Sequence, residues 1–180
     1  SVADELRKTA EELLKRLREH LDTSRRRVED LLRRNEKKLR DVLREVKKLL
    51  DELRELKERG RVDDEVLKEL KKRVDDLIRE LEETNRKTRE DIRRILEENR
   101  KLLEDLRDEI RKLEEKVRRD NKAPEDVIRE IKDRVRRILD EARRVSEKLR
   151  RDVEKINRES REVLERIKEL IKRILKEAKD

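Results

Sequence analysis

The sequence predicts an all-α fold, a straight antiparallel three-helix bundle that runs up, down and up. Three observations predict it. Of the 180 residues 60% are charged and 31% apolar, with no Cys, Met, Phe, Tyr or Trp, a Leu, Glu, Lys and Arg usage suited to long helices. The chain has one Gly, Gly60, and one Pro, Pro124, so helix breakers stand in only two places. Between them the apolar residues recur at helical spacing throughout. So high a charge also suits disorder. Here, however, 58 basic residues nearly cancel 50 acidic ones, and the apolar residues are periodic.

The two interruptions set the elements. In ERGRVDDEV, Glu58–Val66, Gly60 suits the left-handed position after a helix C-terminus. Asp63 suits the N-cap of the next helix, with Val62 placed to staple to Leu67. In RDNKAPEDV, Arg119–Val127, Asn121 tolerates the left-handed conformation and Pro124 suits the first helical position. Glu125 and Asp126 face the positive helix end. The predicted helices cover about 2–59, 63–120 and 124–179, roughly 85 Å each at ~1.5 Å per residue. Such short turns make successive helices antiparallel neighbours in one domain spanning residues 1–180.

The apolar spacing is the period of a straight helix. In the first helix Ala3, Leu6, Ala10, Leu13, Leu17, Leu21, Ser24, Val28, Leu31 and Asn35 follow one another at steps of three and four. The pattern returns after about 18 residues and five turns, which is 3.6 residues per turn, whereas a strict heptad imposes a left-handed supercoil. The second helix repeats it in Leu70/Thr88/Leu106, Val74/Ile92/Ile110 and Leu81/Asn99/Val117. The third repeats it in Val127/Val145/Val163, Ile131/Leu149/Ile167 and Ile138/Ile156/Ile174. Leu14, Leu32, Leu50, Ile78, Leu96, Leu139 and Leu175 widen the stripes into faces broad enough for two neighbours each. The remaining positions mix Lys, Arg, Glu and Asp, a solvated face with i,i+4 pairs.

Polar residues interrupt these stripes at matched places. Folding the chain at the two turns makes the numbers of facing residues add to about 123 for the first and second helices and about 244 for the second and third. Ser24 then faces Asn99, and Asn99 faces Ser146. Asn35 faces Thr88, Asn157 faces Asn85 or Thr88, and Thr84 stands opposite Ser160. Two layers result, each supplied by all three helices. A buried amide or hydroxyl without a partner costs ~1–3 kcal/mol, so co-planar placement lets the groups satisfy one another and penalises slipped registers. The alternative is a set of boundary residues facing water. His20, one turn before Ser24, is placed in the Ser24/Asn99/Ser146 layer or at a half-exposed boundary. Thr9 and Thr23 are surface residues.

Chemistry is not legible. Carboxylate pairs such as Glu11/Glu12, Asp75/Asp76 and Glu97/Glu98 lie on solvated faces and are too frequent to mark a site. His20 has no second His or Cys for a zinc site and no Ser-His-Asp arrangement. Gly-rich phosphate loops, P-loops and EF-hand loops are missing. No enzyme, cofactor or metal is expected. The net charge is +8, with basic spots at Arg25–Arg27 and Arg143–Arg144. Interleaved acids and the lack of aromatics leave only weak, salt-sensitive association with nucleic acid and no sequence-specific binding. No run approaches the ~18 apolar residues of a membrane span, and the apolar faces are taken by the core, so membrane binding is not expected. SVADELRK lacks a signal-peptide apolar region. A soluble chain suited to recombinant cytoplasmic expression, without a targeting signal, is the expectation.

The 18-residue repeat over the whole length, the aromatic-free Leu/Ile/Val core, the loops RGRVDDEV and DNKAPEDV and the Ser/Thr/Asn layers together carry a resemblance. The chain resembles de novo designed parametric helical bundles with buried hydrogen-bond networks. The likeness is one of style across the full chain, with no shared motif residue. Ala123 departs from it, since Ser or Asp would cap the third helix better. The resemblance implies a hyperstable scaffold or assembly module without catalysis. Spectrin repeats are the nearest natural likeness, but they bury aromatics. The expected molecule is a monomer that requires no partner. The alternative is an interaction module that self-associates or accepts a further helix, in a groove lined by Leu43, Leu56, Leu102, Val145, Val163 and Leu170.

Overall fold

A computed structural model describes the backbone of residues 2–120 and 124–179, and their side chains except at 2, 120, 174, 175 and 177–179. It consists of three α-helices, α1 (Val2–Glu58), α2 (Asp64–Asp120) and α3 (Glu125–Lys179), with no strand among the described residues. Each is uninterrupted for 55 residues or more. Helices this long follow from continuous strong helix formers and from an apolar stripe that tertiary packing can hold along its whole length.

The ends follow from local chemistry. Gly60 adopts φ 65°, and two backbone bonds close the C-terminus of α1. Arg61 N–H donates to the Leu56 carbonyl at 2.9 Å and Gly60 N–H to that of Lys57 at 3.0 Å, a Schellman pair that satisfies carbonyls left over at the helix end. Asp63 Oδ1 accepts the Val66 N–H at 2.8 Å, the N-cap bond that starts α2. Pro124 stands immediately before α3, and its carbonyl accepts the N–H of Val127 at 3.1 Å. Asn121 and Ala123 lie outside the described residues.

By its packing the chain divides into two compact units, Ser1–Glu29 with Ile92–Arg151 and Asp30–Asp91 with Asp152–Asp180. Each contains a segment of every helix. In the first unit α1 and α3 run in the same direction, because Arg7 pairs with Glu130 at 3.0 Å and Glu11 with Arg134 at 3.1 Å. Arg27 meets Glu98 of α2 at 3.3 Å, and Lys132 meets Glu114 at 3.9 Å. The core beneath is aliphatic, with Leu17, Leu21, Leu106, Ile131 and Ala142 among its buried residues. In the second unit Lys38 pairs with Glu80, and Arg73 with Glu52 at 3.4 Å. As α1 numbers rise, α2 numbers fall, so these helices are antiparallel. Val42, Val46, Leu81 and Ile167 form one aliphatic cluster there. Leu49, Leu53, Leu70 and Val74 form another, against which Val62 and Leu67 pack.

The 18-residue repeat is visible as burial. Val74, Ile92 and Ile110 are all buried, as are Ile131, Leu149 and Ile167. The flanking positions are less uniform. Leu14, Val127 and Ile138 are buried, whereas Leu32 and Leu50, Val145 and Val163, and Ile156, which occupy the same helical angles, are half-buried.

Gly60 supplies a direct test of the first turn. An added Cβ would meet nothing within 4 Å, so the whole cost of Gly60→Ala is conformational. It should destabilise the protein by about 1 kcal/mol, read as a lower urea midpoint at unchanged m-value. Asn, which tolerates the left-handed region, should cost less.

Candidate functional site

The polar residues inside the apolar stripes are the candidate site, and each layer falls within one unit. In the first unit Ser24 of α1 and Asn99 of α2 are each 1% exposed. Ser24 Oγ donates to Asn99 Oδ1 at 2.8 Å, a hydrogen bond across two helices in aliphatic surroundings. The Asn99 Nδ2 is buried without a partner. His20 is half-buried, and its Nε2 is likewise enclosed and unpartnered. Ser146 of α3 is half-buried, and no described hydrogen bond joins it to Asn99. The layer is therefore one cross-helix bond with open polar capacity around it.

The second unit arranges its polar groups differently. Asn35 is 2% exposed, and Thr88 and Ser160 are also buried; Thr84, Asn85 and Asn157 are half-buried. Thr88 Oγ1 donates to the Thr84 carbonyl at 2.8 Å, and Thr84 Oγ1 to the Glu80 carbonyl at 2.9 Å. Both hydroxyls thus bond back along their own helix, and neither donates across to Asn35 or Ser160. Asn35 Oδ1 and Asn85 Oδ1 are enclosed without partners. Sequence spacing places these residues at one level but does not reveal where the hydroxyl protons go. A signal was available, because Thr on a helix readily bonds the i−4 carbonyl. Thr9 and Thr23 do so on the surface, to Glu5 at 3.0 Å and Glu19 at 2.9 Å.

The charged face beside the layers is organised by short-range pairs. Arg86 bridges Glu83 and Glu90, and Arg100 bridges Glu97 at 2.6 Å and Glu104 at 2.5 Å. The hydrogen bond from Arg100 holds the Glu97 carboxyl below its ordinary value, and that from Arg86 does the same for Glu83. Arg86 and Arg100 are shifted upward by the same contacts. Among the described residues no group of three His, Cys, Asp or Glu is arranged to hold a metal ion, and no helix is long and apolar enough to cross a membrane.

Two outcomes follow from these contacts. Ser24→Ala leaves the buried Asn99 Oδ1 without its donor and should cost about 1–3 kcal/mol. In the Asn99→Leu background the same change should cost clearly less, a coupling that a double-mutant cycle reads directly. The second outcome concerns pH. A carboxyl depressed in the folded state adds stability that is present above the unfolded carboxylate value and lost as pH falls through the folded one. NMR titration should find Glu97 ionised to lower pH than an isolated glutamate, and Arg100→Gln should move it back up.

No protein-family model matches the chain, and no curated protein matches it. Among solved structures it is similar to one described as a computationally designed three-helix bundle, at 20% identity over 98% of this chain and 87% of that one, with a TM-score of 0.34. At that score the likeness carries no weight for the fold, which rests on the helices and contacts described above.

Proposed function

We propose that the chain is a structural scaffold of the designed helical-bundle kind, without catalytic activity, in which the buried polar residues specify helix register. The Ser24–Asn99 bond is the observation that carries the reading. It links α1 and α2 at a position where the same stripe, 18 residues away on either helix, holds Leu or Val. The unpartnered atoms of Asn99, Asn35, Asn85 and His20 support a specifying role over a stabilising one. Each enclosed polar atom without a partner costs ~1–3 kcal/mol, so an all-aliphatic core would be the more stable choice. A polar layer is worth that cost when it penalises slipped or reordered helices.

A second reading, an interaction module that accepts a helix or a second copy, is favoured by one observation. Leu43, Leu56, Leu102, Val145, Val163 and Leu170 are all half-buried, so an aliphatic margin stays accessible along the helices.

Asn99→Leu tests the specifying role. Its denaturation midpoint should stay the same or rise, while species absent from the parent protein appear in size-exclusion chromatography. A loss of several kcal/mol with an unchanged elution profile would sink the reading, since the amide would then be stabilising the fold instead of selecting it.

A further inference from the structure

In the unit formed by Asp30–Asp91 and Asp152–Asp180, the seam between α1 and α3 has a half-buried aliphatic edge. On α1, Lys38 and Glu52 reach Glu80 and Arg73 of α2, which marks the flank turned to α2. Leu32, Leu39, Leu43 and Leu50, all half-buried, lie on the other flank. At ~100° per residue they cluster within about 40° of one another and stand about 100° or more from Lys38 and Glu52. The third helix of the unit is on that side. Here Val42 and Val46 cluster with Ile167, and Leu49 and Leu53 with Ile171, so α1 and α3 run in the same direction; α3 then turns the mirror-image flank to α1, and that flank carries Ile156, Val163 and Leu170, also half-buried. The other unit obeys the same rule. There Glu130 and Arg134 of α3 lie on the flank turned to α1, and Lys132 on the flank turned to α2. The midline of the seam is closed, since Ile167 is 0% exposed; its outer edge is half-buried, with Leu39, Leu43, Leu50 and Val163 packed against the core beneath and part of each left accessible.

Both strips are symmetric about one level. About Asp41, Leu32 mirrors Leu50 and Leu39 mirrors Leu43; about Val163, Ile156 mirrors Leu170. Asp41 and Val163 are 122 positions apart, the offset that also relates Ser24 to Ser146 and Asn35 to Asn157. A two-fold axis crossing both helices at that level would lay α1 on α1 and α3 on α3 of a second copy, antiparallel. The aliphatic symmetry follows from the 18-residue repeat and would be weak support by itself.

The charges beside the strips are independent of the repeat. Across the same axis Glu36 falls opposite Lys47, Glu159 opposite Arg166 and Asp152 opposite Arg173, each pair centred within one residue of the axis. Every opposed pair has opposite sign, and symmetry makes each pair twice. Of the other cations on these edges, Arg40 mirrors Leu43 and Lys155 mirrors Leu170, so neither opposes a like charge. Among the described residues none of the six paired charges makes an ion pair within its own chain. This unit also has 29 basic against 27 acidic residues, so most of the chain's +8 resides elsewhere and two such units repel little. We propose that this seam is a self-association surface and that its occupant is a second copy of the chain, docked antiparallel across it. The proposal goes beyond the scaffold role and does not depend on it.

Sedimentation equilibrium of the full chain across the micromolar range should show a reversible species of twice 22.2 kDa. Glu36→Lys sets like charges against each other at two symmetric places and should weaken the dimer about tenfold. Adding Lys47→Glu to it should restore the parent affinity. The chain has no cysteine, so Val163→Cys, on the axis, should cross-link efficiently with a short bismaleimide, while Asp75→Cys on the exposed face of α2 should not. Far-UV circular dichroism of each variant checks that it is folded. A monomer at every concentration overturns the proposal and leaves the scaffold reading standing. So does a dimer indifferent to Glu36→Lys that fails to cross-link through Val163→Cys.

Discussion

The fold depends on commensurability between an apolar pattern and the α-helix. A stripe that returns every 18 residues completes five turns of 3.6, so it stays on one face of the helix for as long as the sequence keeps it. Over α2 this keeps Val74, Ile92 and Ile110 buried, and over α3 Ile131, Leu149 and Ile167. A pattern drifting by ~20° per heptad would have carried its later residues off that face over the length of such a helix. With no aromatic residue in the chain, each contact is made by an aliphatic side chain whose burial contributes ~1.5–3 kcal/mol. Cohesion is therefore spread along the helices, and no single anchor dominates.

That uniformity creates the problem that the proposed specifying role addresses. Aliphatic stripes of one period are nearly indifferent to a slip of a full repeat or to reversal of a neighbouring helix. In the proposed specifying role Ser24 and Asn99 break the indifference, because sliding α1 against α2 would separate donor from acceptor in surroundings where neither has a substitute. On the same reading Thr84 and Thr88 would contribute less to register. Their hydroxyls are satisfied by carbonyls of their own helix and would stay satisfied after a slip. The two layers are thus unequal: the first contains a bond that crosses helices, whereas in the second Asn35 is enclosed with its oxygen unpaired.

Much of this was legible in the sequence, and the reason is physical. A chain with one Gly and one Pro leaves little choice of where helices stop. Gly60 in the left-handed region and Asp63 as N-cap follow from residue chemistry alone. The facing of Ser24 and Asn99 follows from turn position and helical rise. What was not legible is anything decided by competition among near-equal partners. Whether Thr88 donates across to Asn35 or back to Thr84 depends on a rotamer, and spacing does not encode rotamers. The same holds for the half-burial of Leu32 and Leu50 at the helical angle where Leu14 is buried. A repeating sequence predicts equal burial at equal angles and has no term for that difference.

In the proposed self-association, direction too would reside in the polar residues. A periodic apolar strip reads almost the same from either end, as Leu32, Leu39, Leu43 and Leu50 do about Asp41. Taken alone, such a strip would accept another helix in either orientation. The charges at its margin are not symmetric. Glu36 and Lys47 exchange sign across the centre, as do Glu159 and Arg166, so an antiparallel copy meets opposite charges where a parallel copy in register would meet its own. Within the chain, the proposed scaffold role divides the labour in the same way, with Leu and Ile supplying cohesion and Ser24 and Asn99 supplying register. On these two proposals aliphatic residues hold the helices together, and the few polar residues at their midlines and margins determine which arrangement is held.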